Sequence, residues 1–135
     1  MSETEDQIEQ ISIPEGATGR AVLTVGPSDT AKSQGSGDVE VLATPRLLAL
    51  CEEAAVSAVS QFLPNDKTTV GARAEIDHLA PSWTGAVVEA VAKVVGTSGK
   101  RILFQIEAKE GDKVVGRCSH TRVVVERARF ERDAG

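Results

Sequence analysis

Aromatic side chains are nearly missing from this chain, which has three Phe, one Trp and no Tyr among 135 residues. Base stacking needs aromatics and phosphate contacts need a basic surface. With a formal net charge of −5, nucleic acid is excluded as the main partner, although a small anionic ligand held by a few local Lys or Arg residues is not. Cysteine is equally sparse: Cys51 and Cys118 alone cannot build a disulfide framework. Both fall in apolar patterns, so two buried free thiols in a reducing compartment are expected. The two His and two Cys lie too far apart to give a metal-ligand spacing, and no metal is expected. Gly35-Ser36-Gly37 lacks the strand-to-helix context of a phosphate loop. No run approaches the roughly 20 apolar residues of a membrane span. The acidic N-terminus has neither the basic start nor the apolar stretch of a signal peptide. A cytoplasmic protein without membrane attachment is therefore expected.

What is present suits one soluble domain, with 41% hydrophobic residues in a core of mostly Val, Ala, Leu and Ile. Residues 1–12 read as a mobile acidic tail, 13–130 as a single domain and 131–135 as a C-terminal tail. Ala17 to Val25 has the pattern of a first strand, bounded by Gly16 and by Gly26-Pro27. Residues 26–40 are rich in Gly, Ser and Asp and read as a long open loop. A helix follows, with Thr44 as its N-cap and Pro45 as its first residue. It runs to about Leu63, before Pro64-Asn65-Asp66, and is apolar around most of its circumference, as in a helix enclosed by its surroundings. From Thr68 to His78 the pattern alternates, placing Val70, Ala72, Ala74, Ile76 and His78 on one face and Thr69, Gly71, Arg73, Glu75 and Asp77 on the other. Three more strands follow, near 86–95, 101–109 and 114–126, joined by short turns, and the length of the last suggests a bend or bulge. Short turns imply antiparallel neighbours. The fold class is α+β, with a curled antiparallel sheet wrapped around one long helix.

Three polar residues interrupt this apolar plan. Thr44 opens the helix, Glu52 lies within it and His78 ends the next strand. A hydroxyl, a carboxylate and an imidazole are the parts that acyl transfer requires. Each also has a simpler role: Thr44 as a cap, Glu52 as a solvated helix residue beside Glu53, and His78 as a core imidazole bonded to a carbonyl. Eight residues of straight helix separate Thr44 from Glu52 by roughly 12 Å and roughly 80° of rotation. The two are thus linked by a substrate lying between them, by an unwound first turn, or across a dimer. His120 and Arg122 share a strand face with Cys118 and Val124. Arg122 could pair with a buried carboxylate, hold a phosphate or lie at the surface. Trp83, in the turn after His78, could wall a pocket or pack a loop.

Taken together, these segments resemble the hotdog-fold thioesterases, and within them the fluoroacetyl-CoA thioesterase-like group. The resemblance spans about Ile13 to Phe130. Its carriers are Val41-Leu42-Ala43-Thr44, Leu50-Cys51-Glu52, the stretch from Gly71 to His78, and Ser119-His120-Thr121-Arg122-Val123-Val124. It implies a hotdog subunit, dimerising by joining two sheets, with two sites at the interface. It also implies a Thr-Glu-His catalytic set on Thr44, Glu52 and His78, with Gly71 lining the acyl site and Arg122 in support. The implied activity is hydrolysis of an acyl-CoA or another acyl thioester, with CoA as part of the substrate and no separate cofactor. Arg46, Lys67, Arg73 and Arg101 are the cations available for its phosphates. One departure stands out: where the fluoroacetyl-specific enzyme carries an aromatic lid, residues 33–38 here read Ser-Gln-Gly-Ser-Gly-Asp, with no Phe. That selectivity is not expected. A non-catalytic acyl-CoA-binding or regulatory hotdog protein is the alternative. A hydratase is disfavoured, because adjacent Asp77 and His78 in a strand point to opposite faces.

Overall fold

A computed structural model describes residues 11–134. Five strands form one antiparallel sheet: β1 (Thr18–Thr24), β2 (Lys67–His78), β3 (Val87–Ser98), β4 (Arg101–Glu110) and β5 (Lys113–Glu126), in the order β1-β3-β4-β5-β2. The three C-terminal strands form a meander. Its hairpins turn at Gly99-Lys100 and Gly111-Asp112, where both glycines adopt positive φ, a conformation that costs glycine little. A long helix, α2 (Thr44–Val59), lies across the concave face, packed mainly over β1 and β3. This is the α+β arrangement read from the sequence.

The core forms where the helix meets the sheet. Leu47, Leu50, Cys51, Ala54, Ala55, Ala58 and Val59 of α2 are buried against the inward series Val88, Ala90, Ala92, Val94 of β3 and Ile102, Phe104, Ile106, Ala108 of β4. The near-absence of aromatics is compensated by close approach of the backbones. A β-carbon at Gly19 of β1 would collide with the backbone of Ala54 and Ala58, lying 2.7 Å from the Ala58 Cα. The helix is not enclosed all round, however. Val56 is exposed and Leu48 only partly covered, so a stripe running through Leu48, Glu52 and Val56 is left open on one side of the single chain.

Four details differ from the sequence reading. Residues 26–40 are not an open loop, since they contain a 3-10 turn (Pro27–Asp29) and a short helix, α1 (Ala31–Gln34). Local side-chain acceptors hold both: Asp29 Oδ2 takes the Gly26 N–H at 2.8 Å and Thr30 Oγ1 takes the Ser33 N–H at 3.1 Å. The N-cap of α2 is Ala43, which has no side-chain acceptor, and Thr44, already inside the first turn, bonds His78 instead. The helix itself ends at Val59, followed by a 3-10 turn, Ser60–Phe62. The boundary expected near residue 130 falls inside α3 (Arg127–Ala134). The expected N-terminal tail lies outside the described residues except for Ile11 and Ser12, and Ile11 packs against the core.

The consequential difference is in β2. Gly71 pairs with Arg122 and Arg73 pairs with Thr121, so Ala72 is an extra residue forming a β-bulge. A bulge reverses the alternation of the strand. Beyond it Ala74, Ile76 and His78 face inward as expected. Before it the inward residues are Lys67, Thr69 and Gly71, opposite Glu126, Val124 and Arg122, and not Val70 and Ala72. Two further shifts, at Val94/Gly96 and Ala108/Lys109, kink β3 and the β4–β5 ladder. The second of these supplies the irregularity that the length of β5 suggested.

Close helix–sheet contact at Gly19 gives a direct test. Gly19→Ala is expected to lower stability by about 1–3 kcal/mol through overpacking, read as a drop in urea midpoint at constant m. Gly96→Ala, whose added β-carbon meets nothing within 4 Å, is expected to stay within about 0.5 kcal/mol of the parent.

Candidate active site

Two of the three residues singled out in the sequence meet. His78, at the end of β2 and on the inward face, shares a hydrogen bond of 2.8 Å between its Nδ1 and the Thr44 hydroxyl. The other ring nitrogen, Nε2, is buried and has no partner among the described residues. Burial lowers the proton affinity of the His78 ring, opposed in part by the Ala80 backbone. The imidazole is thus kept neutral further into the acid range than a free histidine. The pair opens onto a cleft of about 420 Å³ whose walls include Ala31, Val41, Leu42, Leu79 and Ala80, with Ser36 and Gly37 at its rim. Trp83 does not wall this cleft, and its side chain is largely exposed.

Glu52 belongs to a second cluster. It lies two turns further along α2 and faces the bulged part of β2 and the middle of β5. Its Oε2 accepts from Arg122 Nη1 at 3.3 Å and stands 3.9 Å from His120 Nε2. Arg122 is buried, not at the surface. Besides Glu52 it holds the Thr69 hydroxyl through Nε at 2.9 Å and the Thr69 carbonyl through Nη2 at 3.1 Å. Desolvation by burial lowers its proton affinity and the Glu52 charge opposes that shift. Gly71 supplies the space: a β-carbon there would lie 2.8 Å from Glu52 Oε2 and 3.5 Å from Arg122 Nη1. Glu53, by contrast, is a solvent-facing residue paired at 3.5 Å with Arg46.

The unwound first turn is not observed, since Leu47 N–H bonds the Ala43 carbonyl at 2.9 Å and α2 is regular from Thr44 onward. Within one chain Thr44 and His78 form one group, and Glu52, Arg122 and Gly71 another. Sequence reasoning did not find Thr69 or assign a role to His120. The signal for Thr69 was available in Gly71, because a glycine inside a strand pattern marks a bulge or a close approach.

Both cysteines are buried and free. Cys118 and burial raise the Cys51 thiol, while Cys51 lowers Cys118 against the opposing effect of burial. Of the cations considered for a CoA phosphate, Arg46 is tied to Asp29 at 3.1 Å, and Lys67 is buried near Asp66 and Glu126. Arg73 is exposed beside Glu75, and Arg101 is exposed at the start of β4. A larger depression of about 630 Å³ on the outer face of the sheet, bordered by Arg20, Glu89 and Lys93, contains none of these groups. Among the described residues, no helix is long and apolar enough to cross a membrane.

Residues 25–128 match the model of a family described as fluoroacetyl-CoA-specific thioesterase. The fluoroacetyl-CoA thioesterase of Streptantibioticus cattleyicolor is 28% identical over 91 residues, covering 67% of this chain. The match spans 66% of that relative's length, just under two thirds. A Thermus thermophilus protein described as a thioesterase superfamily member is 29% identical, with 89% of each chain covered and a TM-score of 0.82. A solved structure of the fluoroacetyl-CoA thioesterase, 22% identical, superimposes with a TM-score of 0.84 over 91% of this chain and 96% of that one, which shows a common fold. With its curled five-stranded sheet and single long helix, this chain has the hotdog fold of the thioesterases and belongs to the fluoroacetyl-CoA-specific thioesterase family.

Proposed function

We propose that the protein is an acyl-CoA thioesterase that releases a carboxylic acid and free CoA, without selectivity for fluoroacetyl groups. The observation that carries this reading is the Thr44–His78 hydrogen bond in the lining of a cleft whose other walls are mostly aliphatic, with Ser36 and Asp38 as polar exceptions. Such a cleft accepts an acyl chain, and the neutral imidazole at its edge can take up or hand on a proton. Thr44 orients the thioester or the attacking group. The first turn of α2, with no side-chain cap, offers N–H groups for an oxyanion. Glu52 attacks the carbonyl or activates a water, and Arg122 and Gly71 set its position. With Ser36 and Gly37 at the rim, no aromatic side chain closes over the acyl group.

The reading extends to a homodimer whose site draws on two chains. Glu52 and the Thr44–His78 pair sit on opposite sides of roughly 12 Å of regular helix. Among the described residues the outer edge of β2 has no strand partner, and exposed residues run from Gly71 to Glu75. A free edge next to an uncovered apolar stripe is a surface that a second copy can complete. In that arrangement Glu52 of one chain serves the Thr44–His78 pair of the other.

Thiol release from a panel of acyl-CoAs is the first test. Glu52→Gln and His78→Ala are each expected to lower kcat by about 100-fold or more, and wild-type turnover in both would overturn the assignment. Saturable binding without hydrolysis would favour the non-catalytic alternative. The second test mixes the two inactive variants after dissociation. If the site spans two chains, random reassociation restores one intact site in each mixed dimer, or about a quarter of the parental activity. No recovery, with mixed dimers demonstrated by mass spectrometry, would place the whole site within one chain.

A further inference from the structure

His120 is buried at the centre of the Glu52 cluster, and neither the family resemblance nor the proposed chemistry gives it a task. Its geometry fixes its protonation pattern. Nδ1 lies 2.7 Å from the Arg73 carbonyl, which can only accept, so Nδ1 carries the proton. Nε2 lies 3.1 Å from Arg122 Nη1, which can only donate, so Nε2 presents its lone pair. The imidazole is therefore neutral and locked in the Nδ1–H tautomer. Every arm of Arg122 then has an acceptor: Thr69 Oγ1, the Thr69 carbonyl, His120 Nε2 and Glu52 Oε2.

We propose that His120 is a positioning residue: as the neutral Nδ1–H imidazole it holds Arg122 Nη1 at the Glu52 carboxylate, and protonation of Nε2 releases that hold. A proton on Nε2 would set an N–H against the guanidinium N–H at 3.1 Å and place two cations side by side. The imidazolium would turn instead to Glu52 Oε2, now 3.9 Å away, and compete with Arg122 for it. The groups that face His120 are few. α2 contributes Glu52, β5 contributes Arg122, and β2 contributes the Arg73 carbonyl. The ring from β4 is the uncharged Phe104, with centroids 6.1 Å apart. Burial lowers the proton affinity of His120 and Arg122 adds to that shift, while the Arg73 carbonyl and the Glu52 charge oppose it. The sign follows: the arrangement is intact at neutral pH and comes apart as the pH falls below the usual histidine range.

The catalytic consequence rests on Glu52 being the working carboxylate, so the test has one arm that needs no activity. Nitrogen NMR of the protein, with Arg122 assigned by Arg122→Lys, is expected to show His120 Nδ1 protonated and Nε2 free at neutral pH. The Arg122 Nη1 signal should shift in acid with the same midpoint as His120, while the Nε–H signal, held by Thr69, serves as the internal reference. His120→Gln keeps an acceptor for Nη1 that does not titrate, so its Arg122 signal should not respond over that range. A proton on Nε2 at neutral pH, or the same acid response in His120→Gln, would overturn the proposal. The second arm measures acyl-CoA hydrolysis. His120→Leu, which leaves Nη1 without its acceptor, is expected to lower kcat by up to about 100-fold with KM changed little, and His120→Gln to recover most of that loss. A folded His120→Gln as slow as His120→Leu would overturn the positioning role. A wild type that hydrolyses no acyl-CoA would refute the proposed function, and the NMR arm would still decide the role of His120.

Discussion

The bulge at Ala72 is the constraint on which the candidate site depends. Regular alternation along β2 would turn Thr69 outward whenever His78 turned inward. One extra residue between Gly71 and Arg73 brings both to the concave face. Thr69 can then receive two N–H groups of Arg122, and Gly71 opens the space that the Glu52 carboxylate fills. Without Thr69, Arg122 would be a buried cation stripped of two of its four hydrogen bonds, a costly state for a charge removed from water. Without a glycine at 71, a side chain would occupy the carboxylate position. One irregularity in a strand thus decides whether an arginine and a glutamate can coexist beneath the helix.

The same strand carries both clusters. His78 at its C-terminal end meets Thr44 at the N-terminus of α2, while Thr69 and Gly71 nearer its start meet Glu52 and Arg122. The two groups are set apart by the geometry of the strand and the helix, which run past each other at fixed spacing. Their surroundings differ accordingly. At the Thr44–His78 pair burial alone lowers the proton affinity of the imidazole, whereas the Glu52 cluster balances a buried cation against a carboxylate and a neutral ring.

Much of this was legible in the residues. The short turns between the last three strands marked antiparallel neighbours, observed as the meander of β3, β4 and β5. Thr44-Pro45 located the start of the helix within a residue. His78 was placed on the face that meets the helix because it shares parity with Ala74 and Ile76 beyond the bulge. The parity of Thr69 and Gly71 was misread, because alternation is a local pattern and a bulge alters the count without altering composition. The segment 26–40 was misread for a related reason. Its Gly, Ser and Asp content suggests a loop, but the same Asp29 and Thr30 side chains cap short helical turns. Arg122 could not be placed, since a buried arginine and an exposed one look alike until all its acceptors are known.

How Arg122 holds Glu52 bears on what the carboxylate can do. A bidentate clamp would occupy both oxygens and make the pair a structural tie. Here the contact is single, from Nη1 to Oε2 at 3.3 Å, and that same Nη1 is shared with His120 at 3.1 Å. The remaining guanidinium donors are directed to Thr69, away from the carboxylate. Glu52 Oε1 is left without a hydrogen-bond partner among the described residues, on a side chain that is 40% exposed. Arg122 therefore fixes one oxygen and leaves the other without a hydrogen-bond partner on a part-exposed side chain. A carboxylate steadied at one oxygen and free at the other suits attack on a carbonyl or activation of a water better than it suits a purely structural ion pair.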